Sequence, residues 1–303
     1  MIIKHRKESE ELTIFNVLNR RMTLSNKDRQ YYFGIKKGYE GEVMFDEFTE
    51  KLISDCYILN DLLFKVNNTL FQIDSLIIIS GKIYFFEVKN FEGDYLYNAD
   101  SDSLYKLPNK EYSNPLHQIK RSESLLRQLL QNNGYNLSIE ANIVFINPEF
   151  TLYQAPLNKH FIFPTQVKSY IQKLNAVQIS NNDESSHLAS KLVSLHIEKS
   201  PYTQLPEYKF EQLKKGVNCR FCYSFSISVR GQVCTCGSCG YEESVETAVV
   251  RAIKELMLLF PDLKVTNSVV MEWCRIVNCR KRISRILTRN FKAVGNSRWT
   301  FYK

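Results

Sequence analysis

The 303-residue chain has no apolar run approaching the roughly 18 residues that a membrane-spanning helix needs; its longest strand-like run is LIIIS. The first residues, MIIKHRKESEELTIF, hold charges where a secretory signal would have its apolar core, so a cytoplasmic protein without a membrane partner is expected. No GxxxxGK[ST] loop occurs, which excludes a self-contained NTP-driven machine. A long-period internal repeat is also missing. Acidic residues are absent from Arg275 to Lys303, where nine Lys or Arg residues are interspersed with Trp299, Phe301 and Tyr302. Such a stretch is an electrostatic footprint for a phosphate backbone.

Against these absences stand a 44% hydrophobic content, ample for burial, and a formal charge of +8. A chain of this length is expected to form two or three units. Of the eight cysteines, five lie between Cys219 and Cys239. This crowding suits metal ligation in a reducing compartment better than structural disulfides.

Residues 1–37 alternate charged and apolar positions and are read as an N-terminal helical extension. After Gly38 to Gly41, the residues Val43, Phe45, Phe48 and Leu52 recur at helical spacing. From Tyr57 the texture changes to β-branched and aromatic runs, YILNDLLFKV, TLFQIDSLIIIS and KIYFFEVKNFEGDYL, separated by NN and SG turn signals. These are expected to be consecutive antiparallel strands. Asn114 and Pro115 suit the cap and first position of a helix whose apolar face continues through Leu116, Ile119, Leu126, Leu129 and Leu130. ANIVFINP predicts a buried strand, FPTQVKSYIQKLN a helix, and SNNDESSH a polar connection to a last short helix ending at His196.

The hairpin across Ser80 and Gly81 carries the chemistry. A two-residue turn there pairs positions so that Asp74 falls directly opposite Glu87. Opposed side chains stand about 5 Å apart, and two carboxylates at that distance repel unless a cation lies between them. Lys89, two residues beyond Glu87, projects from the same face, where its amino group can orient or deprotonate a water or, as an ammonium, steady a phosphate. Oxygen ligands from Asp74, Glu87 and the Val88 carbonyl suit Mg²⁺ or Mn²⁺. Phosphodiester hydrolysis is the expected reaction. Asn90, next in sequence, reads as a strand-end turn former.

Through GYEGE at 38–42, QID at 72–74, FEVKNFEG at 86–93 and NPLHQ at 114–118, the segment resembles the nuclease-related domain (NERD) family, a branch of the PD-(D/E)xK nucleases. The resemblance implies a restriction-endonuclease-like α/β core, a mixed sheet flanked by helices in the order αβββαβ. It also implies an active site of Glu42, Asp74, Glu87 and Lys89, with Gln118 nearby.

Further along, Cys219-Arg-Phe-Cys222 and Cys236-Gly-Ser-Cys239 flank a short alternating hairpin, SFSISVRGQV, which is the spacing of a four-thiolate structural Zn²⁺ ribbon. Cys234 offers a competing thiol, but a CxxCG knuckle favours Cys236 and Cys239. After the ribbon, three helical segments and a terminal strand suggest a helix-turn-helix-like domain. In it Arg280, Lys281, Arg282, Arg285 and Arg289 face nucleic acid while Ile283, Ile286 and Leu287 pack inward. Cys274 and Cys279 read as small buried hydrophobes.

The expected organisation is therefore an extension (1–37), a nuclease-related domain (38–198), a linker (199–216), a zinc ribbon (217–243) and a basic helical domain (244–303). The leading expectation is a Mg²⁺-dependent nuclease acting on DNA. The alternatives are a non-catalytic DNA-binding protein on a nuclease scaffold and an RNA-processing nuclease.

Overall fold

A three-residue strand, β1 (Ile2–Lys4), and two helices, α1 (Glu10–Arg21) and α2 (Asn26–Thr49), open the chain. The computed structural model describes residues 1–157, 160–177, 184–277, 279–296 and 300–303. They divide into two units, Met1–Glu8 with Phe33–Thr203, and Ser9–Tyr32 with Gln204–Lys303. Trp299 and residues 180–183 of the polar SNNDESSH stretch lie outside the described residues.

In the first unit the β-branched runs become β2 (Tyr57–Val66), β3 (Thr69–Ile79) and β4 (Lys82–Lys89), joined in antiparallel order. Ser80 and Gly81, at φ of 51° and 73°, form the tight turn, and the pairing runs from Ile79–Lys82 to Ser75–Phe86. Two positive-φ residues match the right-handed twist of the strands on either side. Next come β5 (Gly93–Asn98), β6 (Ser103–Lys106), β7 (Lys110–Tyr112), α3 (Pro115–Asn132), β8 (Ile139–Phe145), β9 (Phe150–Tyr153), β10 (Phe161–Ile162), α4 (Pro164–Asn175) and α5 (Glu184–Leu195). The main sheet is six-stranded and mixed, in the order β1-β2-β3-β4-β8-β10, while β7-β6-β5-β9 form a smaller sheet. Among these strands, β1 runs parallel to β2, and β8 parallel to both β4 and β10.

Both faces of the main sheet are covered, so β3 and β4 read as continuous apolar runs rather than as alternating ones. Phe45 of α2 and Val167 and Ile171 of α4 pack with Ile77, Ile79, Phe86 and Val144 on one face. Leu116, Ile119, Leu126 and Leu130 of α3 and Leu188 and Leu192 of α5 pack with Leu76, Ile78, Phe85 and Ile143 on the other. Each such side chain contributes about 1.5–3 kcal/mol by leaving water. The start of α3 is fixed by Asn114, whose Oδ1 accepts the Leu116 N–H at 3.0 Å, with Pro115 following at the first helical position. The α/β core expected from the sequence, a mixed sheet flanked by helices, is the fold observed.

Some local expectations are corrected. Helix α2 begins at Asn26, so Gly34, Gly38 and Gly41 lie inside it rather than before it. Glycine costs a helix only about 1 kcal/mol, which tertiary packing overrides. Residues 2–4 form a strand, not part of a helical extension. The ESSH end of the polar connection belongs to α5. Cys274 is buried, but Cys279 is exposed immediately before a helix.

The second unit combines α1 and the start of α2 with β11 (Ile227–Arg230), β12 (Val233–Cys236), β13 (Glu242–Ser244), α6 (Val245–Leu259), α7 (Asn267–Cys274), α8 (Arg280–Asn290), β14 (Ala293–Val294) and β15 (Phe301–Tyr302). Strands β11, β12 and β13 form an antiparallel sheet, and β14 pairs with β15. None of the eight cysteines is in a disulfide. Among the described residues no helix is long and apolar enough to cross a membrane.

Arg21, at the end of α1, is the centre of this unit. Its side chain is fully buried, with Nη2 2.5 Å from Glu255 Oε2 on α6 and Nη1 donating to the carbonyls of Lys214 and Gly216. The guanidinium also lies 4.1 Å from the centroid of the buried Trp273 ring on α7. Arg21→Met leaves Glu255 and two carbonyls without their partner. It is expected to destabilise this unit by about 3–5 kcal/mol, read by chemical denaturation.

Candidate active site

The β2–β3 ladder is interrupted where the candidate site begins. Pairing runs through Asn60–Ser75 and resumes at Leu62–Ile73, skipping Asp61 and Asp74, and Asp61 takes a φ of 54°. Irregularities of this kind redirect side chains and free backbone groups. Lys4 Nζ donates to the carbonyls of Asn60 and Asp61, and Arg6 Nη2 donates to the carbonyl of Asp74 at 2.7 Å.

On the other side of β3, ladder pairing with β4 ends at Ser75–Phe86. One further step of that register would oppose Asp74 and Glu87. Instead the Asp74 side chain reaches across, and its Oδ2 accepts the Val88 N–H at 2.8 Å. Strand β4 stays paired with β8 as far as Lys89–Phe145, so Glu87 and Lys89 remain on one rigid strand and share a face. Lys89 Nζ lies 2.7 Å from Glu87 Oε1 and 2.9 Å from Gln118 Oε1, which brings Gln118, on the first turn of α3, to the same ammonium.

Glu42, on α2, enters through Arg6. The guanidinium of Arg6 is 3% exposed and reaches Glu42 Oε2 at 2.5 Å and both oxygens of Asp46 at 2.8 and 3.0 Å. One buried cation thus joins two carboxylates of a helix to the backbone of Asp74. Sequence reasoning missed Arg6 and Asp46. Arg6 stands alone in the charged stretch HRKE, and nothing local separates a buried arginine from a solvated one. Asn90 is more than a strand-end turn former. Its Nδ2 donates to the Lys37 carbonyl on α2 and its Oδ1 accepts from Asn147, while a Cβ built on Gly41 would lie 2.5 Å from the Asn90 Cβ. The glycine before Glu42 therefore lets the helix approach the end of β4.

The carboxyls are short of positive charge. Burial, reinforced by Asp74, pushes the Glu42 carboxyl up to about 8 even with Arg6 opposing it. Burial and then Asp74 likewise push Glu87 up to about 7, against the pull of Lys89. Asp74 is also raised by burial, with Lys89, the Val88 amide and Arg6 acting against the rise. Glu87 Oε2 is a buried oxygen without a hydrogen-bond partner. An orphaned buried oxygen among carboxyls that resist ionisation fits a cation.

The segment that supplies these residues, 37–146, matches the family model of the nuclease-related domain, NERD. That likeness extends over about a third of the chain. The match covers Glu42, Asp74, Glu87, Lys89 and Gln118, whereas Arg6 precedes it. No curated protein matches the chain. Among solved structures, protein VC1899 from Vibrio cholerae is similar at 13% identity with a TM-score of 0.29, over 50% of this chain and 36% of that one.

Beyond the nuclease-related domain, Cys219, Cys222, Cys236 and Cys239 bring their sulfurs within 4.8 Å of one another. The Cys219–Cys239 and Cys222–Cys236 separations are 3.7 and 3.6 Å. Four thiolates bound at about 2.3 Å to one tetrahedral ion stand about 3.8 Å apart, so this cluster can hold a metal. Among the described residues it is the one group of three or more His, Cys, Asp or Glu whose ligand atoms gather this closely. Cys234, buried on β12 with Glu243 paired beside it, lies outside the cluster.

On α8, Ile283, Ile286 and Leu287 are buried, and Arg280, Lys281, Arg285 and Arg289 are exposed. Arg282 donates to Gln232 Oε1 at the ribbon turn, and Arg289 lies 3.6 Å from Glu246. Charge divides unequally between the units. Ser9–Tyr32 holds 4 Lys and Arg with 3 Asp and Glu, and Gln204–Lys303 holds 17 with 8, so the excess of basic residues lies wholly in the second unit.

Two measurements check this geometry. The folded-state values of Glu42 and Glu87 lie above the ordinary 4.5, so their stabilising contribution is complete below about pH 4.5 and is lost as pH rises through about 7 to 8. Melting temperatures of the protein without divalent ions are expected to fall over that window, with Mn²⁺ restoring them and Glu87→Gln flattening the slope. Separately, Cys234→Ser is expected to retain the metal of the cysteine cluster, and Cys236→Ser to lose it, by elemental analysis of the purified protein.

Proposed function

We propose that the protein is a Mg²⁺- or Mn²⁺-dependent nuclease that hydrolyses phosphodiester bonds in DNA. The observation that carries this reading is the unpartnered Glu87 Oε2, buried beside Asp74 and Lys89 within the segment that matches the nuclease-related domain. Asp74, Glu87 and the Val88 carbonyl would hold the ion. When bound, it supplies Lewis-acid stabilisation of the charge that develops on the phosphate.

The chain's own groups do the rest. Lys89, held as an ammonium between Glu87 and Gln118, orients the attacking water, and its positive charge favours the transition-state phosphate. Gln118 fixes the ammonium so that it does not collapse wholly onto Glu87. Arg6 orients Glu42 and keeps the negative end of α2 against the sheet. The cluster of Cys219, Cys222, Cys236 and Cys239 would bind Zn²⁺, closing the ribbon as a structural site. Arg280, Lys281, Arg282, Arg285 and Arg289 would contact DNA, and the charge division supports this, since the first unit is not itself basic.

Incubation of supercoiled plasmid and labelled single-stranded DNA with Mg²⁺ or Mn²⁺ tests the reading. Wild type is expected to cleave, and Asp74→Ala and Lys89→Ala to lose at least about 100-fold in rate while remaining folded and metal-loaded in the ribbon. Wild-type protein inert on both DNAs, or an Asp74→Ala variant as active as wild type, would overturn it.

A further inference from the structure

The first knuckle of the ribbon holds an aromatic side chain out into water. Phe221, between Cys219 and Cys222, is 75% exposed, and its amide donates to the Cys219 sulfur at 3.3 Å. That bond holds the knuckle backbone from which the ring projects. Beside it the Tyr241 ring lies 6.4 Å away, centroid to centroid, and within 18° of parallel. Tyr223, 46% exposed, follows Cys222 and carries the Arg20 guanidinium 3.6 Å from its ring centroid. Arg220, next to Phe221, is exposed.

Exposed aromatics of this kind cost free energy in the isolated protein, and a patch of them usually marks a binding surface. Here the patch is edged by arginines in the unit that carries the chain's whole excess of basic residues. Flat rings with arginines beside them suit bases and phosphates alternating along a strand. In a duplex the base faces are stacked on one another and out of reach, whereas in a single strand they are open.

We propose that Phe221, Tyr241 and Tyr223, with Arg220 and Arg20, form a stacking platform for the bases of single-stranded nucleic acid. The inference rests on the reading of the second unit as nucleic-acid-binding, and it adds strandedness and a location. Stacking is largely indifferent to base identity, so the platform supplies affinity without sequence preference. Its contribution separates from that of the basic α8 residues because phosphate contacts weaken steeply with salt and stacking does not.

The test is fluorescence anisotropy with full-length protein, no added divalent ion and constant salt, using a labelled oligothymidylate of about 20 nucleotides and a duplex of the same length. Phe221→Ala is expected to weaken binding of the single strand about 10-fold and of the duplex by less than about twofold, while Phe221→Trp keeps wild-type affinity. Metal content measured on each variant shows that the ribbon is intact. Single-strand affinity unchanged in Phe221→Ala would overturn the platform and leave the surface to a protein partner. Equal losses on both ligands would overturn it as well, since stacking cannot weaken a duplex contact. Wild type that binds only the duplex refutes the platform alone, and wild type that binds neither refutes the nucleic-acid reading of the whole unit.

Discussion

Asp74 and Glu87 are buried in the middle of a sheet, at the point where the ladder on either side of β3 gives way, and most features around them answer the resulting deficit of positive charge. The carboxyls cannot all ionise in that environment without cations. Lys89 answers part of the deficit from the same strand, and Arg6 answers another part from the N-terminal segment. What remains shows in the raised Glu42 and Glu87 and in an oxygen of Glu87 with no donor. That residual deficit is what the divalent ion of the proposed reaction would meet.

The surrounding fold keeps that arrangement rigid. Strand β4 is paired with β8 through Lys89, apolar layers close both faces of the sheet, and α3 starts at a capped Asn114 so that Gln118 falls on its first turn. Gly41 brings α2 against Asn90, which places Glu42 within reach of Arg6. Each contact restricts a different element, and together they bring groups from residues 6 to 118 into one cluster. The second unit is organised in a parallel way around a single buried cation, Arg21, which gathers Glu255, two backbone carbonyls and Trp273. In both units a guanidinium does what no lysine could, because its planar fork serves several acceptors at once.

Local chemistry made much of this legible beforehand. The Ser80–Gly81 turn set the register of β3 and β4, because a two-residue turn leaves little freedom in pairing. The period of two along EVK put Glu87 and Lys89 on one face, and the CxxC spacings identified the four sulfurs that cluster. The glycines of α2 misled, since helix breaking is a weak preference that packing overrides, and Cys279 was misjudged because exposure depends on what neighbours cover a position.

Sequence by itself determined which residue types could do chemistry and how neighbours in the chain share a face, since turn geometry and strand period act over a few residues. The tertiary structure alone decided that Arg6 would join Glu42, Asp46 and the Asp74 carbonyl, that Asp74 would take the Val88 amide, and that Cys234 would stay outside the sulfur cluster. Those outcomes depend on which distant segments meet. Burial, which sets the strength of every charge interaction involved, is a property of the assembled fold and of no segment in isolation.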